Sequence, residues 1–82
     1  MHRLTPKEIT IAIKIGREID QLERPLLMKE LPVVTSLTDV TLRPAIKKLI
    51  HARIFERKDF RSGLEKGEKW QKYFNEWVDL YS

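Results

Sequence analysis

Apolar positions recur along this chain at changing intervals, and each interval implies a different element. Over 6–22 they fall at Ile9, Ile11, Ala12, Ile13, Ile15, Ile19 and Leu22. At helical spacing these predict an apolar arc roughly 200° wide, broader than the ~100° stripe of a helix with one buried face. Two explanations fit: a central helix touched by two neighbours, or an edge at Ile9 and Ile13 that meets a second subunit. Gly16 lowers helix propensity and would let another element approach closely. Thr5-Pro6-Lys7-Glu8 supplies the start, with Thr5 as N-cap, Pro6 at the first position and Glu8 at the third, as in a capping box. Glu23-Arg24-Pro25 ends the helix, because a proline disfavours helical geometry in the residue before it.

Leu26, Leu27, Met28 and Leu31 predict a short second helix over about 26–36, which Pro32 either ends or kinks. A third comb, Leu42, Ala45, Ile46, Leu49 and Ile50, predicts a helix over about 39–53. Thr38, Asp39 and Thr41 all offer N-cap oxygens for it. Pro44 fits best if that helix starts near Thr41, where its missing N–H lies in the unbonded first turn. The spacing then changes to alternation over 53–58, with Ile54 and Glu56 on one face and Phe55 and Arg57 on the other. Asp59, Ser62 and Gly63 are turn residues, so a hairpin is expected over about 53–64, with Leu64 beginning a very short return strand. The last helix, about 65–81, carries Trp70, Tyr73, Phe74, Trp77 and Tyr81 on one stripe. That stripe either caps the small core or forms an intersubunit helix, since so much aromatic area is hard to hide on 82 residues. The pattern as a whole predicts one domain over 1–82, mainly α with a small β-hairpin and a C-terminal aromatic helix.

Charge placement adds a direction to this picture. The formal net charge is +4. Residues 1–42 balance to zero, residues 43–72 hold ten basic against four acidic residues, and the last ten carry two acidic ones. The excess therefore sits on the third helix and the hairpin, where phosphate neutralisation would need it. On the third helix, Val40, Arg43, Pro44, Lys47 and His51 fall opposite the apolar comb, with Thr41 and Lys48 at its edge. An arginine in the first half of such a helix can pair bidentately with guanine. Val40 and the Pro44 ring suit thymine methyls. The expected base-facing set is Val40, Thr41, Arg43, Pro44 and Lys47. Lys48, His51, Arg57, Lys58 and Arg61 are expected on phosphates, which Lys47 can also reach. For the dimer alternative the candidate interface is Ile9, Ile13, Trp70, Tyr73, Phe74, Trp77 and Tyr81.

Other chemistries find little support. Cysteine is absent, which removes disulfide frameworks and thiolate metal sites. The two histidines, His2 and His51, have no carboxylate at helical spacing to orient them, and no His/Asp/Glu cluster has metal spacing. Gly63 and Gly67 do not make a phosphate loop. No enzyme activity, metal or cofactor is expected. No stretch approaches the ~20 apolar residues that span a bilayer, and the N-terminus lacks the apolar core of a signal peptide, so a cytoplasmic protein without membrane contact is expected.

Residues 26–70 resemble the winged helix-turn-helix family, especially its MarR-type regulators. The run SLTDVTLRPAIKKLIHARIFER is similar to that family's Ser/Thr-rich turn, recognition helix and basic strand. Leu49 stands as the terminal leucine, Ala52 where the family usually has glycine, and Ile54-Phe55-Glu56-Arg57 as the strand start. Leu64-Glu65-Lys66-Gly67 resembles the segment that returns from the wing into the next helix. The resemblance implies a dimeric regulator of transcription that binds double-stranded DNA, with a recognition helix at about 39–53 and a wing at about 53–64. The wing is very short, and the long flanking helices of the full-size family are absent, so a small-molecule sensor is not implied. The compact form is similar to small winged-helix proteins that dimerise through a terminal helix. A protein–protein adaptor on the same fold, acting in a polymerase or replication assembly, is the alternative expectation.

Overall fold

The structure is a computed structural model and describes residues 4–57 and 63–81. Its first helix, α1 (Pro6–Leu22), starts as its sequence predicts. The Thr5 N–H donates to Glu8 Oε1 at 2.8 Å and the Glu8 N–H donates to Thr5 Oγ1 at 3.2 Å. These bonds satisfy two backbone donors that a helix start leaves open. The helix stops at Glu23, which turns left-handed (φ 55°) and sends its N–H to the Ile19 carbonyl at 2.9 Å.

The chain then departs from the expected helix over 26–36. Leu26 is extended and exchanges both backbone hydrogen bonds with Leu64, at 3.0 and 2.6 Å. A single 3-10 turn follows (Met28–Glu30), and α2 is only Leu31–Thr35. Pro32 lies at the start of α2, not its end, where its missing N–H costs nothing. Buried Thr35 closes α2, donating its hydroxyl to the Leu31 carbonyl at 2.8 Å and accepting the Leu37 N–H at 3.3 Å. Ser36 is left-handed (φ 60°) and turns the chain toward α3.

Helix α3 (Asp39–His51) is capped by Thr38, whose Oγ1 accepts the Thr41 N–H at 3.3 Å. It therefore begins before Thr41, and Pro44 is its sixth residue. The proline removes the N–H that would have served the Val40 carbonyl. Val40 lies at the solvent-facing start of the helix, 80% exposed, where water can take that carbonyl. Leu42, Ala45, Ile46 and Leu49 face the core and Ile50 is half-buried. The left-handed residue after the helix is Arg53 (φ 63°), not Ala52. The turn is held by N–H donations from Arg53 to Ile50 (3.0 Å) and from Ile54 to Leu49 (3.1 Å).

Strands β1 (Phe55–Glu56) and β2 (Glu65–Lys66) pair antiparallel, Phe55 opposite Lys66 and Glu56 opposite Glu65. Ile54 and Phe55 are both fully buried, so the expected alternation of faces does not hold at the strand start. Gly63 has φ 80°, and a Cβ there would stand 2.7 Å from the Leu26 carbonyl oxygen. That position needs glycine to let the Leu26–Leu64 pair form. Because the return strand continues through Lys66, α4 (Trp70–Tyr81) starts five residues later than expected.

Helix α4 supplies the aromatic flank of the core. Trp70 stacks on Phe55 (centroids 5.4 Å apart) and on Phe74 (5.1 Å), and meets Trp77 edge-on at 6.0 Å. The Trp70 six-membered ring occupies the space that a Cβ at Gly16 would need. Gly16 shares its side of α1 with Ile9 and Ile13, so α1 is a central helix with neighbours on two sides, which explains its wide apolar arc. Ile9, Trp70 and Trp77 are buried among the chain's own core residues, and Ile13, Tyr73 and Phe74 pack against them half-buried. Of the expected subunit interface, the two tryptophans and Ile9 are thus covered within one chain. The Tyr81 side chain lies outside the described residues. The molecule is thus mainly helical, with one small antiparallel pair and an aromatic cluster between α1 and α4.

Candidate functional site

One face of α3 is left uncovered. Val40, Arg43, Pro44, Lys47 and His51 are all exposed on it, opposite the buried Leu42, Ala45, Ile46 and Leu49. Helical periodicity produces this split, because a residue one turn from an exposed one shares its side. Arg43 and Lys47, one turn apart, reach the same groove as Arg57 at the end of β1. The groove measures about 490 Å³ and is floored by Met28, Ile46 and Ile50, with Asp39, Arg43, Lys47 and Arg57 at its edge. A smaller groove of about 330 Å³ continues past Arg57 to Arg53 and Glu68.

Two expected members of the set stand apart. Thr41 is half-buried, and its hydroxyl lies 3.0 Å from that of Thr38, within the helix cap. Lys48 is half-buried, and its Nζ donates to Glu8 Oε1 at 3.0 Å, tying α3 to the start of α1. Burial works against the charge on Glu8, but the Thr5 backbone N–H and the Lys48 ammonium outweigh it and hold that carboxyl below its ordinary range. Lys48 is therefore engaged in the fold and does not line the groove. Lys58 and Arg61, two of the expected phosphate contacts, lie outside the described residues.

Sequence reasoning missed Asp39. Its Oδ2 accepts a hydrogen bond from Arg43 Nε at 2.8 Å, with the two side chains 53% and 77% exposed. The i,i+4 spacing of an acid and an arginine was the available signal. An exposed pair of this kind adds only about 0.3–0.5 kcal/mol to a helix, so the fold does not depend on it.

Further basic residues are held in ion pairs away from this face. Arg53 meets Glu68 at 2.9 Å, Lys66 pairs with Asp20, and Arg24 grips Glu30 through both terminal nitrogens at 2.8 and 2.7 Å. The Arg24 guanidinium, helped by the Leu27 N–H, lowers the Glu30 carboxyl to about 2. Among the described residues no group of three or more His, Asp or Glu has the arrangement to hold a metal ion, and no helix is long and apolar enough to cross a membrane. Comparison with protein-family models, with curated proteins and with solved structures gave no match to this chain.

Proposed function

We propose that this protein is a small winged helix-turn-helix regulator of transcription that binds double-stranded DNA in the cytoplasm, with α3 in the major groove. The carrying observation is the open face of α3, on which Arg43 and Lys47 share one groove with Arg57 of the hairpin. The order of elements supports it. Helix α1, an extended Leu26, α2, a three-residue turn, α3, the pair β1–β2 and α4 follow one another, and Leu64 pairs with Leu26 beside β2. A winged helix has this order, with α2 and α3 as the helix-turn-helix and the hairpin as the wing. Val40, Arg43 and Pro44 face the bases, and Lys47, one turn further on, reaches from their edge to the backbone. Arg57 and His51 lie toward the backbone, and Lys58 and Arg61, expected on phosphates from the sequence, belong to the same set.

The test is affinity for mixed-sequence duplex DNA across a salt series, read by fluorescence anisotropy. Each phosphate neutralised contributes about −0.9 to the slope of log affinity against log salt. Contacts from Lys47, Arg57, Lys58 and Arg61 give a slope of about −3.6 for one protomer on the duplex and twice that for a dimer with both protomers engaged. Absence of binding even at low salt ends this reading. A homodimer is part of the proposal, carried by the apolar residues that α4 leaves exposed, Val78 (40%) and Leu80 (73%), and not by its tryptophans. Leu80→Glu should then reduce the sedimentation coefficient and remove the rise of the unfolding midpoint with protein concentration that a dimer shows. A wild type that sediments as a monomer removes the dimer.

The alternative, a protein–protein adaptor on this fold in a polymerase or replication assembly, draws on Val33, which is 81% exposed on α2. A pull-down that retains a stoichiometric protein after nuclease treatment, and loses it in Val33→Asp, favours the adaptor.

A further inference from the structure

We propose that Asp39 is a positioning residue that presents Arg43 to a guanine base; this rests on the DNA-binding reading above. The two side chains lie one turn apart at the start of α3, and the bond between them runs from Arg43 Nε to Asp39 Oδ2 at 2.8 Å. A guanidinium carries five N–H donors in a rigid plane, one on Nε and two on each terminal nitrogen. Anchoring Nε on the carboxylate orients that plane and leaves both terminal nitrogens at the far end of the side chain. Two parallel donors at that end match guanine, which offers O6 and N7 side by side in the major groove.

A phosphate also offers two acceptors, so the choice between base and backbone must come from elsewhere. Asp39 makes it. Its carboxylate neutralises the net charge of the pair, and it would repel a phosphate brought against the same guanidinium. The directional donors survive this neutralisation, and a base edge carries no net charge to be repelled. Arg43's exposed neighbours on the helix, Val40 and Pro44, have no side-chain groups that bind phosphate. Lys47, one turn further on, is exposed, and no acidic residue lies three or four positions from it along α3, which suits it to the backbone. Among the described residues the Asp39–Arg43 pair stays open, its side chains 53% and 77% exposed.

The experiment selects duplexes from a pool with a randomised central segment, using the wild-type protein, Arg43→Ala, Asp39→Asn and Asp39→Ser. Affinities are then measured for the selected duplex and for versions carrying adenine or 7-deazaguanine at the preferred guanine. The wild type is expected to favour one guanine by roughly 5- to 150-fold, the range of a bidentate contact. It should lose a similar factor on 7-deazaguanine, which lacks the N7 acceptor. Arg43→Ala should abolish that preference. Asp39→Asn and Asp39→Ser should reduce it at least about fivefold while binding random duplex more tightly at low salt, because a negative charge has gone. Thermal unfolding of each variant separates this from loss of fold. If both Asp39 variants keep the guanine preference, or if the wild type binds duplex DNA without any guanine preference, the inference is overturned and the DNA-binding reading stands. If the wild type binds no duplex at all, both fall.

Discussion

Helices α3 and α4 flank the hairpin and use equally regular stripes in opposite ways. The aromatic stripe of α4 turns inward: Trp70 and Trp77 are 5% and 3% exposed, and Trp70 lies over Gly16 of α1. The polar stripe of α3 turns outward, and Arg43, Pro44, Lys47 and His51 meet solvent. Periodicity shows that a helix has two faces, and the residue types show which face avoids water. What covers the apolar face is decided elsewhere in the chain. For α4 it is decided by a missing side chain, since any Cβ at position 16 would overlap the indole. The aromatic flank should therefore govern stability, and the α3 face should govern binding with little effect on stability.

Trp70→Ala tests the first half of that division most severely. Truncating a buried tryptophan costs about 3–5 kcal/mol. A chain of this size holds only about 4–12 kcal/mol of total stability. Chemical denaturation should show a loss in that range, with the slope against denaturant retained if the remaining fold is intact. A loss under about 1 kcal/mol would mean that the indole is not packed in the protomer, and would restore the subunit-interface role for the stripe.

Gly16→Ala sharpens the same contact through its sign. In an open helix the change stabilises by about 1 kcal/mol. Here it should destabilise by about 1–3 kcal/mol, the cost of overpacking a rigid ring. Placed in the Trp70→Ala background, where the ring is gone, it should return to stabilising by about 1 kcal/mol. Equal effects in both backgrounds would show that α4 does not rest on Gly16.

That contact also marks what the sequence could and could not disclose: Gly16 was legible as a place of close approach, and Trp70 as the group that approaches was not. The bounds of α1 were legible because its signals are local: Thr5, Pro6 and Glu8 act on one another within three residues. The buried face of α3 was legible from its spacing, as were the mainly helical character and the hairpin. The segment at 26–30 and the late start of α4 were not, because they depend on Leu26 pairing with Leu64 and on strands only two residues long. A pairing across 38 positions leaves no periodic trace in either segment. Arg53 gives no hint of its left-handed backbone, which glycine or asparagine would have signalled. In the candidate site, the spacing that set Arg43 and Lys47 on one face was readable. The partner that withdraws Lys48 was not, because Glu8 lies 40 residues away.

Lys48→Met follows from that last point and carries a smaller effect. The substitution keeps the aliphatic stem and removes the ammonium that meets Glu8. A half-exposed pair is worth at most about 1 kcal/mol, so stability should fall by about 0.5–1 kcal/mol. The salt slope of DNA binding should not move. A slope shallower by about 0.9 would return Lys48 to the phosphate contacts and make the α3 face wider than the structure indicates.

Glu30 gives the most local effect, and it works on the side of the molecule that leads into α2. Its carboxylate accepts both terminal nitrogens of Arg24 and the Leu27 N–H at 3.0 Å, fixing the turn before α2. With Arg24 as the main cause, its folded value lies at about 2, below the ordinary 4.5 of an unfolded chain. The unfolded state thus takes up the proton first as pH falls, so this contribution is complete above about 4.5 and is lost between there and about 2. Glu30→Gln cannot ionise and should flatten the acid limb of stability over that window, while leaving the difference between pH 6 and pH 8, both far above its titration, unchanged. Denaturation midpoints of wild type and variant, taken at closely spaced pH values, measure this directly. Curves that stay parallel from neutrality to acid would show that the Arg24–Glu30 clamp is open in solution. The turn into α2 would then be held by its own backbone bond from the Glu30 N–H to the Leu27 carbonyl at 2.9 Å, with the Leu26–Leu64 pair and the buried Leu31.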